Sequence, residues 1–159
     1  MEIVSLVEKL SMLLKSKSWK IVTAESCTGG GLSYYMTALA GSSDWFDRTY
    51  VTYSEQAKME MLGVSEHTLA AFGAVSEQVA KEMALKALDL SKGDISVSIT
   101  GIAGPSGGST EKPVGLVWIG VASRDLSKIV TTSYTFKGDR AQIREQAISS
   151  ALTQVLSIL

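Results

Sequence analysis

The sequence has a single cysteine, Cys27, and a single histidine, His67. One cysteine excludes the intramolecular disulfide framework on which small secreted domains often depend. One histidine excludes the histidine-rich sites that commonly hold catalytic zinc. We therefore expect a protein of a reducing compartment that uses neither a metal nor an organic cofactor.

Long apolar runs and a charge of one sign are also absent. The most hydrophobic run, from Pro113 to Ser123, is too short to span a bilayer. The N-terminus lacks the positive segment that begins a signal peptide. Lys and Arg number 15 against 16 Asp and Glu, so no basic field is available to neutralise nucleic acid phosphates. These absences predict a cytoplasmic protein that binds neither membranes nor nucleic acid.

The chain nevertheless has enough apolar area to fold. It has 159 residues, of which 45% are hydrophobic and 19% charged. A disordered chain lacks the apolar area needed to offset the loss of backbone entropy. The length fits one domain, residues 1–159, with its own core.

Helical and strand patterns alternate along the sequence. Strands are predicted over 20–24, 48–53, 95–99, 114–122 and 129–136, and helices over 2–17, 32–40, 54–63, 65–72, 76–90 and from Asp139 to the end. The last two strands are close enough in sequence to form a hairpin. This order predicts an α/β protein, a three-layer α/β/α domain with a mixed, largely parallel sheet.

Ligands of such sheets bind beyond the carboxyl ends of the strands, where this chain has two glycine-rich segments. The first, Ser26 to Gly31, joins a strand to a helix, and the second covers 100–108. A serine at such a turn suits a nucleophile with an oxyanion hole or a phosphate cradle. The turn alternatively needs glycine only for its shape, with Ser26 capping the helix. The spacing leaves these interpretations open.

A serine nucleophile needs a base. Lys58 follows the second strand as Ser26 follows the first, so parallel neighbouring strands would place both at one sheet edge. An ordinary lysine is only about 0.04% neutral at pH 7, and lowering its pKa by about three units costs about 4 kcal/mol, which burial must supply. The alternative is a solvated Lys58 paired with Glu55. His67, on the polar side of a short helix, is interpreted as a surface residue.

Other nucleophiles and ligand contacts fit less well. Cys27 is interpreted as a small buried hydrophobe rather than a thiolate. The Ser109–Lys112 segment matches Ser-x-x-Lys but lacks the helical setting of that motif. The loop 100–108 suits the close approach of a phosphate or ring, or is a flexible connection. Arg140, at the start of a helix, is a candidate phosphate clamp.

Several further segments follow one another along nearly the whole chain. They are Thr23-Ala-Glu-Ser-Cys-Thr-Gly-Gly30, Val51-Thr-Tyr-Ser54, Lys58, Leu62-Gly63, Gly73-Ala-Val-Ser76, Thr100-Gly-Ile-Ala-Gly-Pro105 and Lys112-Pro-Val-Gly115. In this order they resemble the CinA C-terminal domain family. The family includes a stand-alone bacterial amidase that hydrolyses nicotinamide mononucleotide to nicotinate mononucleotide and ammonia, within pyridine nucleotide recycling.

The resemblance implies a nucleophile, Ser26, with Lys58 as its base and Tyr53 orienting the pair, without a metal. It also implies that backbone amides between Cys27 and Gly30 stabilise the oxyanion. The nucleotide is expected to contact a wider set of residues: Cys27, Thr28, Gly29, Gly30, Thr100, Gly101, Gly104 and Arg140.

The sequence departs from the family pattern at Thr49, Glu55 and Phe72, where glycine, asparagine and histidine are common. Two other functions stay open: a non-catalytic module that binds a nucleotide, and an amidase of a different substrate. Apolar helix faces in a small domain favour a homo-oligomer, with a dimer as the expected state.

Overall fold

A computed structural model describes residues 2–125 and 127–159 of the chain. In these residues one sheet has the spatial order β2-β1-β3-β4-β5. Its strands are β1 (Ile21–Glu25), β2 (Phe46–Val51), β3 (Ile95–Gly101), β4 (Leu116–Ser123) and β5 (Lys128–Thr135). β1 pairs in parallel with β2 and β3, whereas β4 is antiparallel to both β3 and β5. The sheet is therefore mixed, and β4 alone runs against the other strands.

The helices begin close to the predicted positions because side chains cap their first turns. They are α1 (Glu2–Lys17), α2 (Gly31–Thr37), α3 (Glu55–Ala57), α4 (Glu66–Phe72), α5 (Glu77–Asp89) and α6 (Arg140–Ile158). Ser54, Ser65 and Ser76 each accept a hydrogen bond from the amide three residues on. Asp139 and Gln142 form a capping box at the start of α6. α3 continues into a π-helical turn over Lys58–Leu62.

The sheet separates two apolar clusters, as the three-layer prediction requires. Successive β1 side chains point to opposite faces. Ile21 packs in one cluster with α1, α2 and α6, and Val22 packs in the other with α4, α5 and the π-helical turn. No helix in the described part of the chain is both long and apolar enough to cross a bilayer.

Some predicted boundaries differ from the structure. β2 ends at Val51 rather than residue 53, because the carbonyls of Thr52 and Tyr53 turn out of the ladder toward a lysine ammonium. β4 begins at residue 116 rather than 114, because Gly115 has a left-handed backbone, φ +97°. α2 ends at Thr37 rather than near residue 40.

The strand register sets the place of the site. Glu25, the last residue of β1, lies opposite Val51 on one side and Ile99 on the other. The next amide, of Ser26, still donates to Ile99 O at 3.0 Å. β1 and β2 therefore end at one level and β3 runs two residues further, so the segments that leave the three parallel strands meet at this edge of the sheet.

Candidate active site

The turn between β1 and α2 presents Ser26 at this edge. Gly29 and Gly30 have φ values of +59° and +96°, a region that side chains with a Cβ rarely adopt. A Cβ on Gly31 would lie 2.9 Å from Ile148 Cδ1, so a larger residue here would displace the end of the Ile148 side chain. The glycine-rich sequence thus makes a sharp turn that lets Ser26 line a cavity at the sheet edge.

Lys58 lies directly against Ser26. Its Nζ is 2.8 Å from Ser26 Oγ, 2.8 Å from Thr52 O and 3.3 Å from Tyr53 O. Its side chain is only 1% exposed. The solvated lysine considered from the sequence is therefore wrong, and the two residues meet as the strand order predicted.

Burial lowers the pKa of Lys58 from 10.5 to about 8, while the nearby Glu55 carboxylate acts to raise it. The three contacts of Nζ suit both protonation states. Two carbonyl oxygens accept two of its hydrogens, and the third position faces Ser26 Oγ. When the amine is neutral, that third position holds its lone pair, so it can accept the hydroxyl proton.

The cavity in front of Ser26 has a volume of about 280 Å³. It is lined by Ser26, Cys27, Tyr53, Glu55, Lys58, Ala74, Val75, Thr100, Gly101, Ala103 and Arg140. Arg140 closes one side, since it donates from Nη1 to Gly104 O at 2.7 Å and from Nη2 to the Tyr53 hydroxyl at 3.3 Å. Tyr53 is 62% exposed, so its ring is open to a ligand.

The structure brings most of the sequence-predicted residues to this cavity, but four of them do not line it. Thr28 is buried and its hydroxyl donates to Glu25 Oε1 at 2.7 Å. The Gly29 amide donates to Ser26 O at 3.0 Å. Gly30 is the N-cap of α2. Gly104 contributes its carbonyl to Arg140. These four residues support the structure around the cavity but do not line it.

Sequence reasoning missed Glu25, although it precedes the nucleophile. Its carboxylate is fully buried. Oε1 accepts from the Thr28 hydroxyl and the Leu32 amide, and Oε2 from the Ser33 amide and the Thr23 and Thr49 hydroxyls. A glutamate at a strand end carries no local signal for this role, because its partners come from three separate elements.

The contacts of Glu25 argue against a phosphate cradle at this turn, which was one of the interpretations that the sequence left open. The first free amides of a helix attract anions, but here the α2 amides of Leu32 and Ser33 already donate to Glu25. The amide of Gly31 donates to Thr28 O at 2.9 Å. The helix end is thus occupied by the protein's own carboxylate, which favours the nucleophile interpretation of the turn.

Arg144 is a second residue that sequence reasoning missed. Its Nε donates to Cys27 O and its Nη2 to Thr28 O, both at 3.1 Å. The one available signal is its spacing of four residues from Arg140, which places both arginines on the same face of α6.

The other candidate groups are not part of the reacting pair. Burial raises the pKa of the Cys27 thiol to about 11, so the thiol stays protonated near neutral pH. His67 is exposed on α4 and does not line the cavity. The Ser109 hydroxyl accepts from the Lys112 backbone amide, whereas Lys112 Nζ donates to Phe72 O.

Comparison with known proteins gives consistent matches. A family model for the CinA C-terminal domain matches residues 3–159. Nicotinamide-nucleotide amidohydrolase PncC of Enterobacter agglomerans is 52% identical over 148 residues, which are 93% of this chain and 90% of that protein. Nicotinamide-nucleotide amidohydrolase PncC of Escherichia coli (strain K12) is 50% identical over 151 residues, covering 95% of this chain and 91% of the relative.

A solved structure has the same fold. The competence/damage inducible protein CihA from Agrobacterium tumefaciens superposes with a TM-score of 0.96 at 40% sequence identity, over 99% of this chain and 95% of that one. The mixed sheet with helices on both sides is therefore the architecture of these relatives.

Proposed function

The chain belongs to the CinA C-terminal domain family, and from that premise we propose that it is a nicotinamide-nucleotide amidohydrolase. It hydrolyses the carboxamide of nicotinamide mononucleotide to nicotinate mononucleotide and ammonia. Support comes from relatives with this name that are 52% and 50% identical and that the chain covers to 90% and 91% of their length. The reaction places the protein in pyridine nucleotide recycling.

One observation supports the mechanism above all: the 2.8 Å contact between the buried Lys58 Nζ and Ser26 Oγ. Neutral Lys58 accepts the hydroxyl proton as Ser26 Oγ attacks the carboxamide carbon. The carbonyl oxygen becomes an oxyanion in the tetrahedral intermediate. A buried amine suits this task because burial lowers its pKa to about 8, close to the working pH of a general base.

The oxyanion is stabilised by backbone amides of the turn. The amides of Ser26 and Gly29 are occupied by Ile99 O and Ser26 O. We propose the Cys27 amide as the principal donor, because Cys27 lines the cavity.

Collapse of the intermediate completes the reaction. The carbon–nitrogen bond breaks, protonated Lys58 returns its proton to the leaving nitrogen, and ammonia departs. Water, deprotonated by the same lysine, then attacks the acyl-Ser26 ester. The bond between the acyl carbon and Oγ breaks, Lys58 returns the proton to Ser26 Oγ, and the carboxylic acid is released. The residues described need no metal for any of these steps, so we propose a metal-independent Ser/Lys dyad.

The cavity also offers groups for the rest of the nucleotide. Arg140 supplies a guanidinium at its edge, suited to a phosphate. Gly101 presents no side chain, and the buried Thr100 hydroxyl is held by Ala74 O at 2.8 Å. We propose that the ring lies between Tyr53 and this β3 end, with its phosphate toward Arg140.

The test is ammonia release from nicotinamide mononucleotide in the presence of a chelator. Wild type should release ammonia, and both Ser26→Ala and Lys58→Ala should lose this activity at equal folded concentration. Ser98→Ala is the matched control, since it also removes a buried serine hydroxyl, bound to Ala80 O, outside the cavity. A wild type that binds the nucleotide without releasing ammonia would identify a binding module instead.

A further inference from the structure

Arg144 binds the backbone of the nucleophile turn. Its guanidinium reaches two consecutive carbonyls, Cys27 O and Thr28 O. Arg144 does not line the cavity, whereas Ser26 and Cys27 do. The contact therefore acts on the backbone of the turn and not on a ligand.

Peptide geometry gives this contact a consequence for the site. In a trans peptide unit the carbonyl and the amide hydrogen point in opposite directions. Cys27 O shares its unit with the Thr28 amide, so a carbonyl held toward Arg144 directs that amide away from Arg144. Thr28 O shares its unit with the Gly29 amide, which donates to Ser26 O at 3.0 Å.

Glu25 holds the same turn from within the protein. Its carboxylate accepts from the Thr28 hydroxyl at 2.7 Å. The backbone of Thr28 is thus bound on one side by a cation and its side chain on another by a carboxylate. A residue with both anchors has little freedom to rotate its peptide plane.

We propose that Arg144 is a positioning residue: by holding the Cys27 and Thr28 carbonyls it fixes the backbone of the turn, and with it the Cys27 amide that meets the oxyanion of the acyl-transfer step. This inference rests on the proposed function. It predicts that loss of the two-carbonyl contact lowers kcat and leaves KM nearly unchanged, because the oxyanion forms only in the transition state. If Arg144 only linked α6 to the turn, its loss would change stability but would not lower kcat at constant KM.

The first experiment compares Arg144→Lys, Arg144→Ala and wild type in kcat, KM and Tm. A lysine ammonium cannot bind both carbonyls in the fork geometry of a guanidinium. We expect kcat to fall about 10- to 100-fold, which does not exceed the fall caused by removing one oxyanion donor. KM should stay within about 2-fold of the wild-type value. Added guanidinium ion should restore part of the kcat of Arg144→Ala.

Gln146→Ala is the matched control. Gln146 also donates to two carbonyls from α6, Lys137 O at 2.8 Å and Gln142 O at 3.0 Å, but both lie away from the turn. It should lower Tm at most and keep kcat. If the Arg144 variants keep wild-type kcat, or lose kcat only in proportion to lost folded protein, the inference is wrong.

A second readout does not depend on the nucleotide substrate. A fluorophosphonate reacts with an activated serine. The Oγ–P bond forms, Lys58 accepts the hydroxyl proton, the P–F bond breaks and fluoride leaves, while the phosphoryl oxygen takes up the developing negative charge. Labelling of Ser26, followed by intact mass, should be about 10-fold slower in Arg144→Lys than in Gln146→Ala. Equal labelling rates would overturn the role of Arg144, whereas a wild type that is labelled but inactive on the nucleotide would overturn only the proposed substrate.

Discussion

Lys58 Nζ and Ser26 Oγ lie 2.8 Å apart, although 32 residues separate them in the sequence. The contact follows from the parallel pairing of β1 and β2, which end level at Glu25 and Val51. Ser26 begins the turn after β1, and Lys58 lies in the first helical turns after β2. Lys58 is buried in this contact, and burial lowers its pKa so that it can act as a base. Four of the following predictions concern this site.

The pH dependence should follow Lys58. Burial lowers its folded-state pKa to about 8, and only the neutral amine can accept the Ser26 proton. kcat/KM for nicotinamide mononucleotide should therefore rise with pH through about 8 and level off above it. A profile measured from about pH 6 to pH 10 tests this, and a flat or falling profile would contradict the neutral-lysine mechanism.

Replacing the base by arginine should abolish turnover while keeping the charge. A guanidinium stays protonated at any pH the protein tolerates, so Lys58→Arg cannot take the hydroxyl proton. We expect kcat to fall at least about 10³-fold and not to recover at high pH. Circular dichroism at equal concentration shows whether the variant is folded, and activity that returns above pH 9 would argue against a lysine base.

Cys27 should be dispensable for chemistry. Cys27 is 6% exposed and burial raises the pKa of its thiol to about 11, so the thiol stays protonated near neutral pH. Cys27→Ala should keep kcat within about 3-fold and lose about 1 kcal/mol of stability from the smaller side chain. Iodoacetamide should alkylate native protein far more slowly than unfolded protein, and rapid native alkylation with loss of activity would contradict this.

Arg140 should act on the phosphate of the substrate. It is the arginine that lines the cavity among the described residues, and charge-assisted bonds to phosphate are strong. Arg140→Ala should raise KM for nicotinamide mononucleotide about 10-fold or more, and change little for nicotinamide riboside, which lacks the phosphate. An equal change for the two substrates would show that Arg140 acts only through Tyr53 and Gly104.

Glu25 should be required for stability. In Glu25→Gln the amide nitrogen brings two hydrogens to a position where the surrounding backbone groups are donors, so buried donors face each other. We expect a loss of about 2–4 kcal/mol in the free energy of unfolding, measured by urea denaturation. Thr49→Val should cost less, because the Thr23 hydroxyl still reaches Glu25 Oε2 at 3.2 Å. Similar losses of unfolding free energy in both variants would contradict this role of Glu25.

The element order and most helix starts could be predicted because their causes are local. Ser54, Ser65 and Ser76 act on amides within their own turns, and Asp139 with Gln142 does the same. Strand ends were less predictable. β2 stops where Thr52 O turns to Lys58, a contact that the alternation of side chains along a strand does not predict.

The candidate site was also predictable only in part. The pairing of Ser26 with Lys58 was one possibility among several from the residues, and the family resemblance favoured it. Glu25 and Arg144 could not be found, because a buried carboxylate is recognised by its partners and an arginine by the carbonyls it reaches. Arg144 reaches Cys27 O from 117 residues away in the sequence, and Glu25 gains its partners only when the turn and α2 fold around it.

The sequence by itself determined the alternation of helices and strands, the glycine turn after β1 and the chemical types available there, because these depend on side-chain periodicity, caps and backbone freedom over a few residues. The tertiary structure alone decided that Lys58 is buried against Ser26, that Glu25 occupies the end of α2, and that Arg144 holds the turn. Burial and directed hydrogen bonds between distant segments exist only after the sheet has brought its parallel strand ends together.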